Sequence, residues 1–507
     1  MDVEMKESSS PSFLALDLGA ESGRAVIGHL QDDRLQLKEV HRFANGPVRI
    51  GDSLHWDVLR LWTEILNGIT LAAQEAGKGL MGLGLDTWGV DFGLLARDDT
   101  LLGNPYHYRD RRTEGMLEIA FRRVPRTEIY ERTGIQFMQL NSLYQLLAMA
   151  QAKAPALSCA QTFLTMPDLF NFWFTGRKAG EYTIATTTQC FDPRAGDWAR
   201  DLVDRLDIPS HIFPPIVAPG TVLGELRASV AEDARCSRVP VIAIAAHDTQ
   251  SAVAAVPCDS PDCIYLSSGT WSLMGVEVHQ PVITADSLDY DFTNEGGVGG
   301  TICLLKNIPG LWLVQECRRS WAQTGQEYSY DDLSRMAGEA PALGSLVVPF
   351  DSRFQGAGDM PGRIQAFCRE TVQPIPESPG EITRCALESL ALEYRWVAER
   401  LDALLGQRRS TVLVVGGGSR NRLLNQFTAD ATERRVVTGP VEATALGSVL
   451  VQAVALGHLS SLSEGRALVK RSFEETAFQP RQEGPWEAAY ERYLQLRSRV
   501  TSASAEG

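Results

Sequence analysis

Acidic residues follow three strand-like segments of this sequence, and their neighbours suit phosphoryl transfer. Asp248 ends the apolar stretch VIAIAAHD, where it is flanked by His247 and Thr249. A carboxylate at the end of a buried strand has little reason to be there for packing, because a buried charge is costly unless it is paired. It could be a general base that takes the proton of an attacking hydroxyl. The alternative is an N-cap for the helix that follows.

A short turn of small and charged residues follows the first strand-like segment. Asp17 lies at the mouth of this turn, where it either forms an Asx turn or holds Mg²⁺, usually through water. Ser22 and Gly23 offer a hydroxyl and close backbone approach, and the guanidinium of Arg24 can bind two phosphate oxygens. Glu21 lies in the same turn, but a carboxylate about 4 Å from a phosphate oxygen costs on the order of 1 kcal/mol even in water. We therefore predict that the Glu21 side chain points away from the phosphates.

A second hairpin of the same design lies in the other half of the chain. Residues 13–28 and 263–277 each run from an apolar strand through a Gly/Ser/Thr turn into another strand. The pair suggests a duplicated fold that grips one polyphosphate from two sides. Gly416–Gly418 follow VLVV and precede a helix-like segment. They form either a tight turn or a flat surface for a nucleotide, and we favour the nucleotide.

The turn DTWGVDF follows another buried strand, which ends at Asp86. Trp88 is either a core residue, the usual place for tryptophan, or an apolar wall for the C–H groups of a sugar ring. Asp86 and Asp91 would then accept hydrogen bonds from sugar hydroxyls. This motif alone leaves both interpretations open.

Strands and helices must alternate to position these groups, which indicates an α/β fold. The predicted elements after the first hairpin are a meander at 30–48, a helix from Trp56, a strand ending at Asp86, helices at 113–153 and 166–176, a strand at 239–248, a helix at 311–324, an irregular stretch at 329–369, a long helix from Gly380, a strand at 410–418 and a last core helix at 439–457.

The composition of the 507 residues is that of an ordinary globular protein, with 44% hydrophobic and 22% charged residues. The net charge of -15 argues against a nucleic-acid surface. It does not exclude ATP, because anion binding can rest on local backbone dipoles. No apolar run reaches the about 18–20 residues that span a bilayer, and the first residues lack the apolar core of a signal peptide, so we expect a cytoplasmic protein without a membrane partner.

The nine cysteines show no CxxC spacing, and they predict neither a disulfide framework nor a zinc site. We expect buried or surface thiols. Cys368 and Cys385 could approach each other, although a bridge between them is the less favoured outcome. The eight histidines show no HExxH or paired spacing, which again disfavours zinc.

Together these motifs resemble the FGGY family of carbohydrate kinases over roughly Phe13 to Gly457. The segments shared with the family in general are DLGAESGR from Asp17, PDLFNFWFTG from Pro167, TIATTTQCFDPRAGDW from Thr183 and the triplet from Gly416. The segments that match one group of ketose kinases within the family are DTWGVDF from Asp86, YRDRRT from Tyr108, TGIQF from Thr133, AAHDTQSAV from Ala245, LSSGTWSLMG from Leu266 and NIPGLWLVQECRRSW from Asn307.

The resemblance implies a duplicated actin-like (ribonuclease H-like) ATPase fold of the α/β class, with two domains around a central cleft. The implied kinase domains are 13–256 and 263–457, after a disordered tail at 1–12 and before a C-terminal extension and tail at 458–507. ATP would bind between the domains, with the sugar deeper in the cleft.

The resemblance also implies residue roles. Asp248 would be the catalytic base, and Asp17 would hold Mg²⁺. The sugar contacts would be Gly89, His247, Asp248, Thr249 and Asn307, together with Trp88 from its own motif. The ATP contacts would be Ala20, Glu21, Ser22, Gly23, Arg24, Thr270, Gln315 and Gly417.

The implied reaction is ATP-dependent phosphorylation of L-rhamnulose at its C1 hydroxyl. The alternatives are another ketose or polyol kinase of the family, such as an L-fuculose kinase, or a non-catalytic actin-like nucleotide switch. The expected partners are the sugar and ATP, and the expected assembly is a monomer or weak homodimer. Bacterial family members often have Ser in place of Glu21, and Cys-Gln in place of Ser419 and Arg420. These departures lie in the parts of the implied site that would surround the phosphates and the adenine.

Overall fold

The computed structural model describes residues 10–31, 33–258, 262–481 and 484–506. Most of the tail expected at 1–12 lies outside these residues, whereas Ser12 already begins the first strand. The strands are β1 Ser12–Leu18, β2 Ser22–Gln31, β3 Arg34–Ala44, β4 Pro47–Ile50, β5 Ser53–Trp56, β6 Leu80–Thr87, β7 Phe92–Leu95, β8 Thr162–Thr165, β9 Gly180–Glu181, β10 Phe191–Asp192, β11 Asp197–Trp198, β12 Ile216–Val217, β13 Thr221–Glu225, β14 Pro240–Ala243, β15 Cys263–Ser268, β16 Trp271–Val278, β17 Thr293–Gly296, β18 Ile302–Pro309, β19 Thr411–Val415, β20 Arg435–Thr438 and β21 Thr476–Phe478.

Helices fill most of the remaining described chain. They are α1 Val58–Ala76, α2 Met116–Arg123, α3 Arg126–Thr133, α4 Ser142–Gln151, α5 Pro155–Cys159, α6 Met166–Thr175, α7 Tyr182–Thr187, α8 Arg200–Arg205, α9 Ala228–Asp233, α10 Asp248–Ala254, α11 Ala285–Asp289, α12 Trp312–Gln323, α13 Tyr330–Glu339, α14 Met360–Glu370, α15 Pro379–Leu405, α16 Arg422–Thr432, α17 Ala443–Ala455, α18 Leu462–Ser472 and α19 Trp486–Glu506.

Two predictions about the second half of the chain are wrong. The stretch at 329–369 is not irregular, because it contains α13 and most of α14. Ser329 and Asp332 form a capping box at the start of α13, and Asp359 accepts a hydrogen bond from Gly362 N at the start of α14. The small polar residues of TSASAEG at the end of the chain also predict a loose segment, and this is wrong as well, since α19 continues to Glu506.

The first sheet has the strand order β13-β14-β6-β1-β2-β3 within the described residues. Strand β1 is antiparallel to β2 and parallel to β6, and β6 is parallel to β14. All seven residues of β1 are buried, as expected for a central strand covered on both faces. The alternating strands and helices put the carboxyl ends of β1, β6 and β14 at one edge of the sheet.

The second sheet repeats this arrangement. Its described strands have the order β17-β18-β16-β15-β19-β20-β21. Strand β15 is antiparallel to β16 and parallel to β19, and β19 is parallel to β20. The central strand of each sheet is thus the first arm of one of the two predicted glycine hairpins. The duplicated α/β fold is confirmed.

The chain forms two compact units, and each is assembled from separate segments. The first unit comprises Met1–Asp259, Glu277–Leu304 and Ala443–Phe473, and the second comprises Ser260–Val276, Leu305–Glu442 and Glu474–Gly507. The domain boundaries at 13–256 and 263–457 stay a prediction.

Helix α17 supports the core of the first unit from a distant part of the sequence. It crosses α10 so closely that a Cβ atom on Gly447 would lie 1.7 Å from the backbone oxygen of Ser251. Gln452, one and a half turns further along α17, donates a hydrogen bond of 2.9 Å to the backbone oxygen of Leu14 on β1. The helix therefore joins the strand that carries Asp17 to the helix that begins at Asp248.

The cysteines differ from expectation at one place. Cys258 and Cys263 are disulfide-bonded, so these two are not thiols. Cys258 follows α10 and Cys263 begins β15, so the two are five positions apart in the sequence. Cys368 and Cys385 are free and buried. Among the described residues, none of the helices is both long enough and apolar enough to cross a membrane.

Candidate active site

Asp248 is the first residue of α10. The preceding residue, His247, occupies the N-cap position with extended backbone angles (φ -83°, ψ 121°), so the alternative in which Asp248 itself is the N-cap is wrong. Asp248 Oδ1 accepts hydrogen bonds from its neighbour Thr249, at 2.6 Å from the backbone N and at 3.3 Å from Oγ1. Burial raises the pKa of Asp248, and the nearby His247 opposes that rise.

Two side chains from the start of α7 hold the backbone that leads to Asp248. Glu181 Oε2 accepts a hydrogen bond of 3.1 Å from Ala246 N, and Thr183 Oγ1 accepts one of 3.3 Å from His247 N. Glu181 also caps α7 through the backbone N of Thr183 and of Ile184. Burial raises the pKa of Glu181 to about 7, against the effect of these hydrogen bonds. Sequence reasoning missed both residues, although a Glu two positions before a Thr at a helix start is a signal of a side-chain cap.

Asp17 and Arg24 form an ion pair across the first hairpin. Asp17 Oδ2 accepts hydrogen bonds from Arg24 Nε at 2.9 Å and from Nη2 at 2.7 Å, because the two residues are register partners on β1 and β2. The guanidinium thus pairs with the predicted metal ligand. The predicted contact of Arg24 with phosphate stays a prediction.

Asp86 lies beside Asp17 on the neighbouring parallel strand, as its register partner. It is fully buried, and within the described part of the chain neither of its carboxylate oxygens has a hydrogen-bond partner. Burial raises the pKa of Asp86 well above its usual range, and the charges of Asp17 and Asp248 raise it further. Three carboxyl groups from β1, β6 and α10 therefore influence one another at the same end of the sheet.

The turn between β1 and β2 is closed by its own backbone and by Asn45. Gly19 N donates to Ser22 O at 2.9 Å, and Asn45 Nδ2 donates to Gly19 O at 2.8 Å. Gly23 has no room for a side chain, because a Cβ there would lie 2.2 Å from the Phe43 ring. The remaining residues predicted for this turn are Ala20 and Ser22, which are half-buried, and Glu21, which is exposed. The direction of Glu21 relative to a phosphate stays a prediction.

Trp88 is 5% exposed and packs against Trp56, with 3.9 Å between the ring centroids. Asp91 anchors both indoles. Its Oδ2 accepts from Trp56 Nε1 at 2.6 Å and from Trp88 Nε1 at 3.0 Å, and its Oδ1 accepts from Gln145 Nε2 at 2.9 Å. Most of the Trp88 ring is thus buried in the core. A sugar contact by Trp88 stays a prediction.

Gly89 brings the DTWGVDF turn next to His247. A Cβ atom on Gly89 would lie 3.5 Å from His247 Nε2 and 3.4 Å from Thr187 Oγ1. The next residue, Val90, has a φ of +67°, which is rare for a β-branched residue and indicates a strained backbone. Its N–H donates to Thr187 Oγ1 at 3.3 Å. The structure therefore places two of the predicted sugar contacts, Gly89 and His247, side by side.

The buried carboxyl group of Asp91 should make stability depend on pH. Burial raises its pKa from 3.8 to about 6, despite the hydrogen bonds from Trp56, Gln145 and Trp88. The folded state thus binds the proton more tightly than the unfolded state, so this stabilising contribution is present below pH 4 and is lost as the pH rises through 6. Relative to Asp91→Asn, we expect the wild-type free energy of unfolding to fall by about 3 kcal/mol between pH 4 and pH 7.5.

Urea unfolding of both proteins across this range measures the difference. The exposed Asp52 provides the matched control, and Asp52→Asn should follow the wild type at every pH. A constant difference between Asp91→Asn and the wild type would contradict the prediction.

The second unit gathers the predicted nucleotide residues around the turn between β15 and β16. The backbone N of Gly310 and of Trp312 donate to Thr270 O, at 3.0 and 3.2 Å. Gln315 lies on α12, one turn further, and its buried Oε1 has no hydrogen-bond partner within the described residues. Asn307 is half-buried on β18, just before this segment.

The glycine triplet after β19 packs on the same turn. Gly416 has a φ of +81°, and a Cβ on Gly418 would lie 2.0 Å from Ser268 Oγ. A Cβ on Gly417, in contrast, would meet no atom within 4 Å. The triplet is therefore both a tight turn, at its outer members, and an open backbone surface, at its centre. The roles of Gly417, Thr270, Gln315 and Asn307 in ligand binding stay predictions.

Comparison with known families finds matches over nearly the whole chain. Residues 12–255 match the FGGY family of carbohydrate kinases, N-terminal domain, and residues 264–456 match its C-terminal domain. The chain is 44% identical over 479 residues to the rhamnulokinase of Bacteroides thetaiotaomicron, which covers 94% of this chain and 98% of that protein. It is 42% identical over 461 residues to the rhamnulokinase of Oceanobacillus iheyensis, covering 91% and 97%.

Solved structures share the fold at low sequence identity. The gluconate kinase from Lactobacillus acidophilus superposes with a TM-score of 0.80 at 18% identity, covering 98% of each chain. The Plasmodium falciparum glycerol kinase with ADP gives a TM-score of 0.76 at 14% identity, covering 97% of this chain and 98% of that one. At these identities the likeness shows the two-domain α/β fold alone.

Proposed function

The chain belongs to the FGGY family of carbohydrate kinases, and we propose that it phosphorylates L-rhamnulose at the C1 hydroxyl, using ATP. The single observation that carries this proposal is the segment Ala245–Thr249, where a half-buried acid begins α10 beside His247 and Gly89. The rhamnulokinases from two bacteria, 44% and 42% identical over almost their full length, support the choice of sugar.

Asp248 acts as the general base in this proposal. Its carboxylate accepts the proton of the sugar hydroxyl while the oxygen attacks the terminal phosphorus of ATP in line with the departing ADP. Thr249 holds Asp248 Oδ1 through two hydrogen bonds, which leaves Oδ2 for the substrate hydroxyl. The side chains of Glu181 and Thr183 accept hydrogen bonds from the backbone of the two residues that precede Asp248. These bonds fix the backbone there, so the carboxylate is already in position when the sugar binds.

The first turn would bind the terminal phosphates of ATP, and the second unit would bind the rest of the nucleotide. In the first unit, the contacts are the backbone from Ala20 to Gly23 and the guanidinium of Arg24. The guanidinium would give up its hydrogen bonds to Asp17 and donate to phosphate oxygens instead. In the second unit, Thr270 and the open backbone at Gly417 would face the nucleotide, with the unpartnered Oε1 of Gln315 as an acceptor.

The residues around Asp17 fit Mg²⁺. The two unpartnered, buried oxygens of Asp86 lie beside Asp17, and such oxygen donors suit a hard cation that takes one or two carboxylates and keeps several waters. Asp17 would hold the ion, usually through water. When bound, Mg²⁺ would neutralise charge that develops on the phosphate oxygens.

A coupled assay of ADP release tests the substrate. We expect the highest kcat/KM with L-rhamnulose among L-rhamnulose, L-fuculose, L-ribulose, D-xylulose and glycerol. Release of ADP without any sugar measures background ATP hydrolysis. A clear preference for another sugar would overturn the substrate assignment, and sugar-independent turnover of ATP would favour the nucleotide switch instead.

A further inference from the structure

A buried glutamate lies behind His247. Glu295 is 4% exposed and belongs to β17, whose four residues are all buried. Its Oε2 lies 3.1 Å from His247 Nδ1 and accepts a hydrogen bond of 3.1 Å from Gln250 Nε2. The N–H of His247 points off the line to Glu295, so the contact is a close ion pair rather than a linear hydrogen bond. Glu295 thus reaches two residues that flank the proposed base.

The backbone of Glu295 is fixed on both sides. The preceding residue, Asn294, donates its backbone N–H to Gly134 O at 2.9 Å. The following residue, Gly296, donates its backbone N–H to Thr186 Oγ1 at 2.8 Å. These bonds fix the backbone of Glu295, and the hydrogen bond from Gln250 Nε2 holds its carboxylate, so the position of the carboxylate relative to His247 is preorganised.

His247 connects Glu295 to Asp248. Its side chain is 10% exposed, and its second nitrogen, Nε2, lies 3.5 Å from Asp248 Oδ1. A buried carboxylate is costly unless a cation pairs with it, and an imidazolium between two carboxylates satisfies both. The three side chains form a line from β17 to the start of α10.

We propose that Glu295 is a positioning residue that keeps His247 protonated, so that the imidazolium in turn keeps Asp248 ionised and ready to accept a proton. This inference rests on the proposed role of Asp248 as the base. It assigns a function to a residue of the TNEGG segment, which forms β17 and the residue after it. The imidazolium Nε2–H faces the same Oδ1 that Thr249 binds, so the other carboxylate oxygen stays available to the substrate.

The electrostatic surroundings of His247 support this proposal. Burial by itself lowers the pKa of His247, but the close contact with Glu295 and the charges of Glu295, Asp248 and Glu181 outweigh burial, and the pKa is raised. These three carboxyl groups face His247 from β17, from α10 and from the start of α7. For Asp248, burial raises the pKa and the charge of His247 lowers it. Loss of the charge on His247 should therefore raise the pKa of Asp248.

The isosteric substitution Glu295→Gln tests the proposal, because the amide oxygen can still accept from Gln250. We expect the pKa of His247 to fall by about one unit. Activity requires an ionised Asp248, so the acid limb of the kcat/KM profile should move about one unit to higher pH. The alkaline limb should stay in place, because Asp248 is ionised at high pH whether or not His247 is protonated.

Two measurements decide the outcome. The first follows the ring signals of ¹³C-labelled histidines by NMR as the pH changes, with the His247 signal assigned from His247→Asn, and it needs no sugar substrate. The second is the pH profile of ADP release with the sugar that the wild type prefers. An unchanged His247 titration in Glu295→Gln would overturn the proposal. So would an acid limb that stays in place while kcat/KM falls by the same factor at every pH.

Asp192→Asn provides the matched control. Asp192 is also a buried acid of the first unit, but it pairs with Arg132 at 3.2 Å and does not face His247. Asp192→Asn should leave both limbs of the pH profile in place. Equal shifts of the acid limb in Asp192→Asn and Glu295→Gln would contradict a specific role for Glu295. Failure of the wild type to phosphorylate any sugar would refute the proposed function, whereas the NMR result would still judge the pairing of Glu295 with His247.

Discussion

Replacing Asp248 by asparagine is expected to lower kcat for sugar phosphorylation by about 10²- to 10⁴-fold. Asparagine has nearly the same shape, and its amide oxygen can keep the hydrogen bond that Thr249 N donates to Oδ1. The variant loses the basic oxygen that would take the hydroxyl proton. The rate of ADP release at saturating sugar and ATP measures the effect.

Binding and stability should change little in Asp248→Asn. We expect the Kd for ATP, measured by calorimetry, to stay within a factor of about two to three of the wild-type value. Asp248 is not among the residues proposed to contact ATP. The exposed Asp233 on α9 offers a control, and Asp233→Asn should retain full activity. Full activity of Asp248→Asn would refute its assignment as the base, and a loss of ATP binding would show that the residue has a structural role instead.

Gly447→Ala should destabilise the protein by at least about 3 kcal/mol, at the upper end of the usual cost of overpacking. The new Cβ atom would lie 1.7 Å from the backbone oxygen of Ser251, and a backbone atom cannot rotate out of the way. Helices α10 and α17 must therefore separate. The expected decrease in Tm is roughly 5 °C, because the first unit is large. Because α10 begins at Asp248, kcat should fall together with Tm, and both can be measured on the same preparation.

Gly338→Ala provides the opposite control within a helix. Gly338 lies in α13, and a Cβ atom there would meet no atom within 4 Å. Alanine favours the helix over glycine by about 1 kcal/mol, so this variant should be slightly more stable than the wild type. A Gly447→Ala protein as stable as the wild type would mean that the two helices are not packed as the structure has them.

The sequence was most informative where a local pattern determines a local structure. Apolar alternation around a glycine turn predicted the hairpins of β1 with β2 and β15 with β16, and these hairpins start both sheets. Local patterns also placed Asp248 and Gly89 shortly after strands of the first sheet, although the strand predicted at 239–248 ends at Ala243 and Asp248 begins α10. The error at 329–369 has a physical reason, since α13 and α14 are short and glycine-containing, and their signal lies in the caps at Ser329 and Asp359.

Long-range pairs could not be predicted in this way. Glu295 is separated from His247 by 47 intervening residues, and nothing in the TNEGG segment distinguishes an anchor for an imidazole from an ordinary loop. The pairing of Asp17 with Arg24 follows from strand register, which depends on the whole hairpin. Trp88 was ambiguous because its environment depends on Trp56, which lies on another segment and shares the Asp91 carboxylate with it.

The discontinuous first unit has a consequence for how the protein is made. Helix α10 depends on α17, and roughly 200 residues separate Asp248 from Gly447. At about 5–20 residues per second, a ribosome needs roughly 10 to 40 seconds to cover that distance. During this interval the nascent chain already carries the helix of the base but not its packing partner. We therefore expect stalled or truncated chains that stop before α17 to expose apolar surface and to be retained by chaperones.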